Sequence, residues 1–215
     1  MNMAHLTDTL LLLVLLTNFA VLAGSRLTFT IRAAAAQGVA LGLLPLALHH
    51  PWTGHSLLIT VGTVTVKGVL LPGFLMWAIR EATVRREVEP SLGPLSSIGA
   101  GVLAVGLSLA QSRYLPSPGG VVPQLLVAIS FATLMIGFIV LTTRRKALTQ
   151  VVGYLLLENG VYLFGLALSV RVPLLVEMGV LLDLVVGVFI MGLVVFHMNR
   201  ELETLDSARL TELRD

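Results

Sequence analysis

Apolar residues in this chain run in blocks of roughly twenty, not in short stretches that alternate with polar ones. An α-helix needs about 20 such residues to cross the hydrocarbon of a bilayer, so each block is a candidate membrane span. Seven blocks satisfy this: Thr7–Gly24, Ala33–Leu48, Leu57–Trp77, Leu95–Tyr114, Val122–Leu141, Leu148–Val170 and Leu174–His197. The second is short and carries Gln37, Gly38, Gly42 and Pro45. Pro116, Pro118, Gly119 and Gly120 make a sharp break between the fourth and fifth. The first block has no basic stretch before it, and Arg26 and Arg32 follow it, so it reads as a span and not as a cleaved signal. The pattern predicts an all-α polytopic membrane protein with seven transmembrane helices.

Composition agrees. The 215 residues are 56% hydrophobic and 12% charged, with a mean hydropathy of +0.92, whereas a soluble domain has about 25% charged residues. Eleven of the 14 basic residues fall in alternate connections and in the tail after the seventh span. These are Arg26 and Arg32; Arg80, Arg85 and Arg86; Arg144, Arg145 and Lys146; and Arg200, Arg209 and Arg214. The intervening connections hold only Arg113 and Arg171, and Lys67 lies inside a span. By the positive-inside rule the N-terminus is outside and the C-terminus cytoplasmic. Trp52 and Trp77 bracket the third span, where an aromatic belt would place them.

Three ionisable residues sit at membrane depth: Glu158 in the sixth block, Asp183 in the seventh and Lys67 at the centre of the third. Each costs roughly 2.5–3.5 kcal/mol on insertion scales, so such groups face protein or water and mark ion or proton paths. Tyr154, Glu158 and Tyr162 recur every four residues and share a helix face, with Asn159 beside them. Gly179, Asp183 and Gly187 share another face, where small residues admit a neighbouring helix or water. His197 lies about 40° round the helix from Asp183, at the cytoplasmic end of the same stripe. Thr60, Thr63 and Lys67 form a polar stripe on the third span. Glu177 follows Pro173 near the outer interface, where it could simply be hydrated.

Other readings of the same residues stay open. Glu158 and Asp183 could be protonated, hydrogen-bonded links between helices. Lys67 could snorkel, yet it is ten residues from either end of its span, farther than a lysine reaches. A paired Lys67 would face Glu158, Asp183 or a carboxylate on a neighbouring subunit. His49, His50 and His55 gather around Pro51 in an outer connection, where histidines are generally solvated, and no metal site is expected. The segment Glu201–Asp215 could dock on a partner or be a solvated helix.

Some chemistry is excluded. Without cysteine there are no disulfides and no thiolate ligands for iron–sulfur clusters. No pair of intramembrane histidines suits a haem, no Gly-rich phosphate loop is present, and no hydrolase constellation stands out. The chain is therefore expected to be no enzyme by itself, to carry no cofactor and to bind no nucleic acid.

Arg144-Arg145-Lys146, then Gly153, then Glu158-Asn159, then a span with Asp183 and Gly187, resembles the K-type small antiporter-like subunit of complex I and its counterpart in cation/proton antiporters. In that resemblance Asp183 stands where the family has a third-helix glutamate. The second-helix glutamate would fall at Leu155, and Glu158 lies one helical turn later. Arg32-Ala33 through Gln37-Gly38, Leu41-Gly42-Leu43-Leu44-Pro45, Val66-Lys67-Gly68-Val69-Leu70-Leu71-Pro72 and Leu157-Glu158-Asn159-Gly160 resemble hydrogenase-4 component E. That family comprises membrane subunits of group 4 nickel–iron hydrogenases and formate hydrogenlyases.

The resemblance implies a four-helix N-terminal extension over residues 1–115, a three-helix K-like module over 116–198 and a cytoplasmic tail over 199–215. It implies membership of a large complex in the cell (inner or plasma) membrane. Partners would be large antiporter-like subunits, a quinone-site-like membrane subunit and cytoplasmic nickel–iron and iron–sulfur hydrogenase subunits. The expected function is that of a non-catalytic membrane subunit of a proton-coupled hydrogenase, with Glu158, Asp183 and Lys67 on the proton path. Tyr154, Asn159, Tyr162, His197 and Glu177 would support that path. Two alternatives are a subunit of a multisubunit cation/proton antiporter and a stand-alone small-molecule transporter. Transporters often show internal repeats, and none is evident here.

The topology is open to direct test. Cysteines at Ser117 and Ser207 should label from opposite sides of the membrane, and labelling of both from one side would refute it.

Overall fold

The computed structural model describes residues 3–48, 54–81, 93–114, 124–145, 147–168 and 192. Among them the regular structure is helical: α1 Met3–Ala23, α2 Leu27–Leu48, α3 Gly54–Thr63, a π-helix Val64–Leu70, α4 Leu71–Glu81, α5 Pro94–Ser112, α6 Gln124–Thr143 and α7 Ala147–Leu168. The α3–π–α4 stack is one continuous span, so the described residues hold six helices long and apolar enough to cross a membrane. The chain is a multi-pass membrane protein. The expected seventh span, Leu174–His197, lies outside the described residues.

Two features differ from expectation. The second span begins at Leu27, not Ala33, and ends at Leu48 as expected. It thus takes in Arg32, which is exposed on the helix side. Its long stem can run along apolar surface while the guanidinium reaches polar surroundings, so the charge does not end the helix. The third span is not a uniform α-helix. Its centre is π-helical, and the Leu71 N–H bonds the carbonyl of Val66, five residues back. Pro72 supplies the reason. It has no N–H, and in an α-helix its ring would crowd the carbonyl four residues back, that of Gly68, so a wider turn relieves the clash.

Glycines set how closely the helices meet. A Cβ on Gly38 would lie 2.5 Å from the backbone oxygen of Lys67, and one on Gly42 would collide with Val64. The π-helix therefore presses directly on the Gly38–Gly42 face of α2, a small-residue contact of the kind that brings membrane helices together. On the other side, Gly153 and Gly160 would meet the backbone of Leu141 and Leu134 at 2.5 and 2.6 Å, so α6 and α7 are backbone-close. Arg144, just past α6, is buried and donates from Nη2 to the carbonyl of Leu22 at 2.9 Å. That contact satisfies an orphan carbonyl at the α1 C-terminus with a cation, as the helix dipole favours. Burial pushes the Arg144 guanidinium below its ordinary pKa.

The apolar core falls into two clusters. One joins Val21, Ile31, Leu75, Ile136, Val140 and Leu156. The other joins Leu11, Val14, Leu41, Leu44, Leu126 and Leu163. Both draw on α1, α2, α6 and α7, so the helices before and after residue 115 share their cores. Large apolar side chains also lie on the outer surface of the bundle: Leu16, Leu58, Leu103 and Phe138 are all exposed.

The close approach at Gly38 gives a stability test. Gly38→Leu should separate α2 from the π-helix and lower the melting temperature of the purified chain in nanodiscs, since overpacking costs about 1–3 kcal/mol or more. Gly106→Ala, at a position with open space around it, should melt like the wild type. Equal melting of the two variants would contradict the packing.

Candidate functional site

Between the two apolar clusters lies a polar layer. On α1 Asn18 falls between Val14 and Val21; on α2 Gln37 falls between Ala34 and Ala40; on α6 Thr133 falls between Ile129 and Ile136. On α7 Glu158 and Asn159 fall between Leu156 and Tyr162, and Lys67 comes from the π-helix. All six polar side chains belong to residues no more than 5% exposed. A charged or polar group buried this deeply must be paired within the protein.

The pairing is continuous. Lys67 Nζ stands 3.6 Å from Glu158 Oε1, both side chains only 4% exposed. Lys67 also donates to Asn159 Oδ1 at 3.2 Å. Asn159 Nδ2 donates to Gln37 Oε1 at 2.9 Å. Gln37 Nε2 donates to Asn18 Oδ1 at 2.8 Å and to the Val14 carbonyl at 3.3 Å. Asn18 Nδ2 donates to Thr133 Oγ1 at 2.8 Å. One chain of hydrogen bonds thus runs from the ammonium through three amides to a hydroxyl, using five spans, with the Glu158 carboxylate beside the ammonium as its ion-pair partner.

Aromatic and hydroxyl groups complete the surroundings. The Tyr162 ring centroid is 5.5 Å from Lys67 Nζ, a geometry in which the π-face attracts a cation. Tyr154, one turn before Glu158, is half-buried against the first apolar cluster. Thr60 and Thr63, the rest of the polar stripe on the third span, are 5% and 1% exposed, and their hydroxyls have no hydrogen-bond partner among the described residues.

Of the residues singled out by sequence, the structure brings together Lys67, Glu158, Asn159 and Tyr162, and it leaves Tyr154 one turn away. Asp183, Glu177 and His197 lie outside the described residues. So do His49 and His50, and among the described residues no three histidine, aspartate or glutamate side chains converge as for a metal. The sequence reading missed Asn18 and Thr133, and it noted Gln37 in a short span and in a family-like segment but not as a site residue. The available signal was an amide isolated in an apolar run, as in Leu15-Leu16-Thr17-Asn18-Phe19-Ala20-Val21.

The ion pair has a thermodynamic signature. Removing one member of a buried pair strands the other, at about 3–5 kcal/mol. Lys67→Met should therefore lower the melting temperature of the chain in nanodiscs sharply, and Lys67→Met with Glu158→Gln should recover most of the loss. A double variant as unstable as the sum of the singles would show that the two residues are not coupled.

The family described as NADH-ubiquinone/plastoquinone oxidoreductase chain 4L matches residues 125–215. The chain is 33% identical over 190 residues to Rv0085 of Mycobacterium tuberculosis, described as uncharacterized, covering 86% of this chain and 85% of that one. It is 30% identical over 150 residues to hydrogenase-4 component E of Escherichia coli K12, and equally to that of Shigella flexneri, covering 69% of this chain and 68% of theirs. No solved structure matches it. Similarity at this level over two thirds of both chains, on a bundle of membrane helices, shows that the chain belongs to the hydrogenase-4 component E family.

Proposed function

We propose that this chain is a non-catalytic membrane subunit of a proton-translocating, hydrogenase-type complex, and that Lys67 and Glu158 form its proton-transfer site. One observation carries the reading: an ammonium and a carboxylate face each other at 3.6 Å inside the bundle, in the middle of apolar spans. Two apolar residues of similar volume would pack there at less cost in desolvation, so ion pairs buried in membrane spans point to function.

The chemistry follows from the groups. Lys67 holds a proton it can give, and Glu158 can receive one across the short gap. The pair then stands either charged or neutral, and a charge change beside it shifts the balance between the two states. A redox reaction in a partner subunit could drive protons in this way, while the subunit itself contributes no electron carrier. Asp183 would continue the path on the seventh span, with His197 at its cytoplasmic mouth and Glu177 near its outer end. Tyr154 would border it.

The finer organisation belongs to the same proposal. It comprises seven spans with the N-terminus outside and the C-terminus cytoplasmic, in the cell membrane. It comprises the division at residues 1–115, 116–198 and 199–215. The partners would be large antiporter-like subunits, a quinone-site-like membrane subunit and cytoplasmic nickel–iron and iron–sulfur subunits. Co-purification of a nickel–iron protein with the tagged chain tests the assembly, whereas antiporter subunits alone would favour the antiporter reading.

The transfer role has its own test. In membrane vesicles, Glu158→Gln and Asp183→Asn should keep hydrogen turnover with a soluble dye while the proton gradient formed falls several-fold. Undiminished gradients in both variants would leave the carboxylates as structural links.

A further inference from the structure

The hydrogen-bonded chain has a direction, and chemistry dictates it. An ammonium has three donors and no acceptor, so Asn159 must turn its oxygen toward Lys67. Its NH2 group then faces Gln37, which must present Oε1, and Gln37 in turn donates to Asn18 Oδ1. Asn18 is left with its NH2 facing Thr133 Oγ1. The side-chain links are 3.2, 2.9, 2.8 and 2.8 Å long, and every member of the chain is at most 5% exposed. Aligned in this way, each amide polarises the next and turns its negative end toward the ammonium.

The distances at Lys67 make the consequence specific. The ammonium is within hydrogen-bond reach of the amide oxygen at 3.2 Å, but it is 3.6 Å from the carboxylate oxygen. A charged N–H···O bond closes to about 2.7–2.9 Å when nothing prevents it. At a site this buried, collapse into such a contact would lock the proton between the two groups. Primary amides, moreover, are poor proton carriers at neutral pH, because passing a proton would require a protonated or imidic form. The chain can therefore hold a cation without draining its proton toward α1 and α6.

We propose that Asn159, Gln37, Asn18 and Thr133 act together as one polarised clamp that holds the Lys67 ammonium just short of contact with Glu158. They are positioning residues for the pair, and Thr133 acts on Lys67 only through the intervening amides. Among the described residues, the titratable groups facing Lys67 are Glu158 and Tyr162, both from α7. α2 presents the neutral Gln37, and its Arg32 is exposed. The π-helix itself fixes where the ammonium starts, because Gly38 seats the Lys67 backbone against α2. The clamp rests on the structure; its role in coupling rests on the transfer site proposed above.

The sequence permits a direct measurement, because its lysines are Lys67 and Lys146 alone. The full chain carrying Lys146→Arg and 15N-labelled lysine, in lipid nanodiscs, gives one side-chain Nζ signal. In the parent chain its hydrogens should exchange slowly with water. Gln37→Leu and Thr133→Val should each speed that exchange, by about tenfold for loss of one such bond in Gln37→Leu and by less for the more distant Thr133→Val. Thr133→Ser, which keeps the acceptor oxygen, should behave like the parent. Unchanged exchange in both Gln37→Leu and Thr133→Val overturns the clamp, and so does a Thr133→Ser chain that behaves like Thr133→Val. Should Gln37→Leu fail to fold, the Thr133→Val and Thr133→Ser pair alone decides, since it changes a residue remote from the ion pair. In the assembled complex, Gln37→Leu should also lower proton transport per hydrogen turned over. A changed Nζ signal with full transport would keep the clamp and overturn the transfer role of the pair.

Discussion

Lipid cannot solvate an ammonium, a carboxylate or an amide, and this single constraint organises the bundle. Six buried polar side chains lie at similar depth on five spans, and each must find its partners inside the protein. Pairing them ties the rotation of each helix to its neighbours. A turn of α2 by one residue would remove Gln37 from between Asn18 and Asn159. That would leave an amide and, beyond it, an ammonium without their partners. The apolar clusters above and below supply contact area but no comparable register, because leucine and valine side chains interchange at modest cost.

The small residues and the π-helix serve that layer. Gly38 and Gly42 let the π-helix lie against α2 at backbone distance, and Gly153 and Gly160 do the same between α6 and α7. Both contacts flank the layer, so the helices that carry Lys67, Gln37, Thr133 and Asn159 are held close where short side chains must meet. Pro72 widens the turn that holds Lys67, and a π-helix displaces the residues it contains relative to a regular α-helix. One local irregularity in sequence thus helps set where the Lys67 ammonium meets the other spans.

On the proposed function, this arrangement bears on how the chain could respond to charge changes in a partner subunit. A buried carboxylate and ammonium respond strongly to charge placed nearby, because little bulk solvent reaches them to screen it. An amide chain on one side and a carboxylate on the other make the surroundings of Lys67 asymmetric. The same asymmetry suits a family whose named members in Escherichia coli and Shigella flexneri are components of hydrogenase 4.

Much of this was legible in sequence, and the reason is that hydropathy and topology are local sums. Six spans of about 20 residues, the depth of Lys67 and Glu158 and the shared face of Glu158 and Tyr162 all follow from runs and helical spacing. The start of α2 at Leu27 did not follow, because a charged residue in a run reads as a boundary while a snorkelling side chain is none. The π-helix did not follow either, since Pro72 alone does not say whether a helix kinks, breaks or widens. Least legible was the amide chain. Its partners stand 92, 122 and 115 residues apart along the chain at Lys67–Asn159, Gln37–Asn159 and Asn18–Thr133. The sequence by itself determined that polar groups would be buried in the membrane and that they would need partners. Only the tertiary structure decided which partners, because that depends on which helix faces meet and how closely the glycines let them approach.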